Sequence, residues 1–165
     1  MRKLARCSVV GSAVVLVAAL GPAVPALASG GSDDREHHAR ASVLLKADLI
    51  GSLTKDAKLF GVAPGGADWT VSNSRVKVRT DGRVDVKVRR LVLTKTGENP
   101  VPMISASLVC NGKVVDTVGP VAYNMKGNAR IKDTFMVPHR CLAPAVLLHP
   151  NEVSGVYIAA SGEVR

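Results

Sequence analysis

The segment Arg75 to Leu93, RVKVRTDGRVDVKVRRLVL, alternates charged and branched apolar residues with period two on both sides of Asp81-Gly82. Helical periodicity does not fit this pattern, and two half-buried strands joined by a tight turn do. A two-residue Asp-Gly turn would set Arg79 opposite Val84 and Lys77 opposite Val86, mixing charge with valine on each face. A three-residue loop, Thr80-Asp81-Gly82, instead opposes Arg79 to Arg83, Val78 to Val84 and Val76 to Val86. It also gives Gly82 the left-handed position of a G1-bulge turn. A slip of one residue turns every side chain to the other face, so the apolar ladder selects the three-residue loop. Arg89-Arg90 breaks the alternation and suggests a bulge before Leu91 and Leu93.

The rest of the chain reads as short strands and turns. Met103 to Cys110 and Lys113 to Val118 flank Asn111-Gly112, the strongest short hairpin signal, which calls for a type I′ turn. Both faces of that hairpin carry apolar residues, which suits a central place in a sheet. Ser42 to Leu53, Ala129 to Val137, Ala145 to Leu148 and Val156 to Ala160 read as further strands. Lys58 to Thr70 and Thr94 to Pro102 read as loops. About seven or eight strands at this spacing predict an all-β domain over residues 42–165, an antiparallel β-sandwich, with a small β-barrel as the alternative. Trp69 reads as a core or core-edge residue rather than a sugar platform.

The N-terminus constrains compartment rather than fold. Arg2, Lys3 and Arg6 precede a short apolar run from Val9 to Leu20, then Pro22, Pro25 and Ala26-Leu27-Ala28. That order is an export signal over residues 1–28, cleaved before Ser29. The apolar run is too short for a spanning helix, which needs about 20 residues. No later stretch reaches that length, so no transmembrane segment is expected after cleavage. Residues 29–41 are polar and aperiodic and read as a flexible leader. The expected location is secreted, with cell-wall association as an option.

Cys7 would leave with the signal, so Cys110 and Cys141 form the one available disulfide in an oxidising compartment. It would tie the end of the Met103 strand to the loop before Ala145. A loop of about 32 residues corresponds to roughly 3.7 kcal/mol in the chain-entropy account. His139 lies two residues before Cys141, but two cysteines and one histidine do not make a complete zinc pattern. No metal and no cofactor is expected.

Catalytic motifs are sparse. The sequence contains no G-x-S-x-G elbow, no H-E-x-x-H and no phosphate-cradling glycine loop leading into a helix. Asp56, Asp68, Asp116 and Asp133 are scattered. The expectation is a non-catalytic protein. A hydrolase whose site assembles only in space is one alternative, and a protein-partner or inhibitor domain presenting Pro138 to Pro150 is another.

Charge is the distinctive signal. Loss of residues 1–28 would lower the formal net charge from +9 to +6. Arg75 to Lys95 alone holds eight Lys or Arg and two Asp, a net +6. With the valines inward, Arg75, Lys77, Arg79, Arg83, Lys87 and Arg89 point outward as candidate anion-binding residues. Like charges opposed across a ladder repel, and an anionic partner would relieve that repulsion. A solvated, aggregation-resistant sheet face explains the same residues without any ligand. The expected partners are anionic cell-wall polymers or acidic polysaccharides, or else a secreted protein. Sequence-specific nucleic-acid binding is not expected, because there is no reading helix and few aromatics.

The stretches LFGVAPGGADW (59–69), NPVP (99–102), SLVCNG (107–112), CLAPAVLLHP (141–150) and VYIAASG (156–162) resemble small exported β-proteins of high-GC actinobacteria. The resemblance covers most of the chain after residue 28. It implies export and a shared fold, and carries no activity and no catalytic residues.

Overall fold

The computed structural model describes residues 41–152 and 155–162. The expected signal peptide and all of the expected leader except Ala41 lie outside these residues. The described chain is all-β, built on one large antiparallel sheet with a short parallel pair, β11 with β2, beside it, and a disulfide joins Cys110 to Cys141. Eight strands form one sheet: β1 (Val43–Gly51), β4 (Arg75–Arg79), β5 (Arg83–Val88), β7 (Met103–Cys110), β8 (Lys113–Ala122), β9 (Ala129–Thr134), β10 (Ala145–Pro150) and β12 (Ala159–Gly162). Their order is β8-β7-β10-β12-β1-β4-β5-β9. Four two-residue strands, β2 (Ala63–Pro64), β3 (Trp69–Thr70), β6 (Val92–Leu93) and β11 (Val156–Tyr157), pair as β11 with β2 and β3 with β6.

The sheet curls until its edge strands approach, so of the two all-β arrangements the molecule adopts one close to a barrel. Beside the seam, the Met136 backbone N–H on the β9 side donates to Asp116 Oδ2 on β8 at 2.7 Å. Eight strands leave an interior that side chains alone can fill. Val76, Val78, Val84 and Val86 enter it from the first hairpin, Ile104 and Leu108 from β7, Ile131 from β9, and Val146 and Leu148 from β10. Trp69 is buried with them, as its sequence context suggests.

The first hairpin has the three-residue loop. Val78 pairs with Val84, Val76 with Val86 and Arg75 with Lys87. Gly82 has φ +86° and its N–H reaches Arg79 O at 3.0 Å. β5 ends at Val88, and Arg90 takes φ +49°, which places the irregularity read from Arg89-Arg90. Asn111 and Gly112 both have positive φ, as a type I′ turn demands. β7 is buried on both faces along nearly all its length, but β8 is an edge strand, so only half of that hairpin is central. Asn111 also pins the loop before β10. Its side chain accepts from Leu142 N–H and donates to Arg140 O, both at 2.9 Å. The proline-rich stretch therefore divides into a surface loop over 138–144 and the largely buried strand β10.

The outside of the barrel is half covered. Over β7, β10 and β12, Val62 and Tyr157 pack on Val109 and Leu147 as a second apolar cluster. Tyr157 OH donates to Ala57 O at 3.1 Å and holds this cover in place. Over β1, β4, β5 and β9 the alternating positions carry charge instead.

Gly82 and Gly112 separate two effects at one conformation. A Cβ at Gly82 would meet Phe135 O at 2.1 Å, whereas one at Gly112 (φ +77°) meets nothing within 4 Å. Gly112→Ala should lose about 1 kcal/mol of unfolding free energy for the left-handed backbone alone. Gly82→Ala should lose more, by about 2 kcal/mol, because the hairpin must also move away from β9. Urea midpoints at constant slope measure both, and equal losses would mean that Gly82 is not pressed against the next strand.

Candidate functional site

The register gathers charge from four strands onto the uncovered face. Lys46, Lys77, Asp85 and Lys132 align across β1, β4, β5 and β9. Asp48, Arg75, Lys87 and Arg130 form the neighbouring row. Six cations and two carboxylates thus share two adjacent rows. A depression of about 400 Å3 lies among Lys46, Arg75, Lys77, Asp85, Lys87 and Arg130.

Opposite charges organise part of the face. Arg130 grips Asp85 with two parallel hydrogen bonds, Nε to Oδ1 at 3.0 Å and Nη2 to Oδ2 at 2.6 Å. The hydrogen bond from Arg130, with smaller help from the charges of Arg130, Lys132 and Arg75, holds the Asp85 carboxyl below its ordinary pKa despite partial burial. The same pair raises the pKa of Arg130. Lys87 lies in the opposite situation. The positive charge of Arg89, then burial, then Arg75 and Arg130 lower its pKa, against weaker support from Asp85. Lys87 is therefore a place where positive charges crowd one another, and where a bound anion would relieve repulsion.

The six candidates read from the sequence separate into two groups. Arg75, Lys77 and Lys87 line the depression. Arg89 continues it, in a second depression that shares Lys87 and Arg130. Arg79 and Arg83 sit at the hairpin tip and are engaged locally. Arg83 Nε donates to Asp81 Oδ2 at 2.6 Å, and Arg79 Nη1 donates to Ala41 O at 3.1 Å. Lys46, Arg130 and Lys132 were not among the candidates. Their strands lie far from the hairpin in sequence, and only the strand order makes them neighbours. The same-phase alternation Arg130-Ile131-Lys132 was the one local hint.

A second polar cluster is internal. His149 on β10 pairs directly with Ser105 on β7, and both side chains are closed off, at 0% and 2% exposure. His149 Nδ1 lies 2.6 Å from Val156 O, which can only accept, so Nδ1 carries the proton. Nε2 and Ser105 Oγ have no protein partner. A histidine and a serine side by side suggest a base and a nucleophile, but a substrate carbonyl has no route to atoms this enclosed. The disulfide removes both described thiols from nucleophilic chemistry. Among the described residues, no three His, Cys, Asp or Glu side chains cluster to hold a metal ion. No described helix is long and apolar enough to cross a membrane.

Comparison with protein-family models, with curated proteins and with solved structures finds no match.

Burial lowers the pKa of His149, with the hydrogen bond to Val156 opposing in part. A depressed histidine pKa means that the unfolded chain binds the proton more tightly. The stability that neutral His149 contributes is full above the unfolded value near 6.5 and is lost as pH falls through it. Urea midpoints should therefore fall from pH 7.5 to pH 5, above the window where carboxylates titrate. His149→Gln keeps a donor for Val156 and should flatten that fall; an unchanged slope would place the titration elsewhere.

Proposed function

We propose that the protein is an exported, non-catalytic domain that binds anionic polymers of the cell envelope through the outer face of β1, β4, β5 and β9. The observation that carries this reading is the convergence of cations from separate strands. Arg75, Lys77 and Lys87 stand beside Lys46, Arg130 and Lys132 on a broad face that none of the described loops covers. Arg75 opposes Lys87 directly, and Arg89 crowds Lys87 further. A solvated face needs charge, but it gains nothing from placing like charges against one another. Bound phosphate, sulfate or carboxylate groups would turn that repulsion into attraction, and guanidinium groups suit such oxyanions geometrically.

The export signal expected from the sequence and the Cys110–Cys141 disulfide are both compatible with action outside the cytoplasm. The resemblance to small exported actinobacterial proteins points the same way. A protein-partner role is the second reading. It rests on the loop 138–144, which is held by Cys141 and Asn111 and leaves Leu142 57% exposed.

Cosedimentation with the producing cell's isolated walls across a salt series tests the first reading. Binding through three or four anionic groups should give log K against log salt a slope of about −2 to −3. Combined Arg75→Glu, Lys77→Glu and Lys87→Glu should weaken binding at least tenfold, about 1.4 kcal/mol. Binding indifferent to salt and to these reversals would remove the basic face from the account and favour the loop.

A further inference from the structure

If the basic face is a polyanion site, as proposed above, its shape narrows the kind of polyanion it holds. The two depressions share Lys87 and Arg130, so they join. The basic part of the combined trough runs from Lys46 on β1, past Arg75 and Lys87, to Arg89 and Asn128 at the far end of β5; beyond Lys46 it opens into a wider depression over Asp48, Pro144 and Ser161 that adds no further cation. It runs obliquely across the strands and away from the hairpin tip, where Arg79 and Arg83 have local partners. Strand spacing of about 4.8 Å and rise of about 3.4 Å per residue make this path roughly 17 Å long. An extended chain reaches about 3.5 Å per three bonds, so a phosphodiester repeat of six bonds spans about 7 Å. The trough then matches about three consecutive phosphates.

Its lining narrows the chemistry. No aromatic side chain lines either depression, so stacked bases have no platform. None of the large exposed apolar side chains lines it either, so nothing there inserts into a bilayer. Asp85 sits among the cations, and each of its oxygens keeps a lone pair beyond the one given to Arg130. A carboxylate in a polyanion site is costly unless the ligand also offers donors. Hydroxyl groups between the phosphates supply them.

We propose that this trough holds a single linear chain of a hydroxylated phosphodiester polymer, about three consecutive phosphates at a time, laid obliquely across β1, β4 and β5. Calorimetric titration of the protein with glycerol phosphate and with poly(glycerol phosphate) oligomers of three, six and twelve units tests this. Affinity should rise at least tenfold from one unit to three or four. Beyond six it should grow only in proportion to the number of positions available on the chain. Lys46→Glu and Arg89→Glu, at opposite ends of the trough and both exposed, should each weaken the six-unit oligomer at least fivefold. Arg79→Glu should leave it within twofold. Equal affinity for monomer and six-unit oligomer, or an Arg79→Glu loss as large as that of Arg89→Glu, would overturn the oblique trough. Salt-dependent binding to walls without a length step would also defeat the trough while leaving the polyanion reading intact. No binding to walls or to any oligomer would remove both.

Discussion

The packing of valine on valine across β4 and β5 is the constraint on which the charged face depends. Val76 with Val86 and Val78 with Val84 go inward only in one register. That register exists because Gly82 adopts a backbone that other residues resist, and because its lack of a Cβ lets Phe135 O approach. The inward valines and the outward cations are one fact seen from two sides. A shift of one residue would bury Lys77 and Lys87 and expose the ladder. The electrostatic character of the outer surface is thus enforced by burial, which exceeds any repulsion among the surface charges. Burying one valine side chain is worth about 1.5–3 kcal/mol, against tenths of a kcal/mol for an opposed like pair.

Barrel-like closure divides the outer surface into two unequal environments. The segment around Val62 and the one around Tyr157 cover β7, β10 and β12, where Leu147 and Val109 need shelter. That shelter also encloses His149 and Ser105 and makes the pH-sensitive part of the fold a buried one. Among the described residues the opposite half has no such cover, and its alternating positions project Lys46, Lys77, Lys87 and Arg130 into solvent or the shallow trough. Coverage and charge are complementary, so a concave basic surface arises without any dedicated binding loop. Asp85 keeps Arg130 oriented within it, and Arg89 concentrates the positive field on Lys87.

Local chemistry was legible in the chain. The loop length at Gly82, the type I′ turn at Asn111-Gly112 and the pairing of Cys110 with Cys141 each follow from residues close in sequence or from elimination. The basic face was half legible: the alternation placed Arg75, Lys77 and Lys87 on a common face. It could not show that β1 and β9 flank the hairpin, so Lys46, Arg130 and Lys132 were missed. Nor could it show that Arg79 and Arg83 turn to Ala41 and Asp81, because those contacts depend on where the chain enters β1 and on the loop's own geometry. The near-barrel arrangement brings Asp116 beside Met136 at the seam, residues 20 positions apart with no local pattern to announce the contact.

The most direct test of the central claim, that the uncovered face of β1, β4, β5 and β9 is the binding surface, is a backbone amide NMR titration of the protein with an anionic wall polymer at low salt. Shifts should concentrate on Lys46, Arg75, Lys77, Lys87, Arg89 and Arg130, with the residues over β7 and β10 unmoved. Shifts centred on the loop 138–144 or on the covered face, or scattered evenly over every exposed cation, would contradict it.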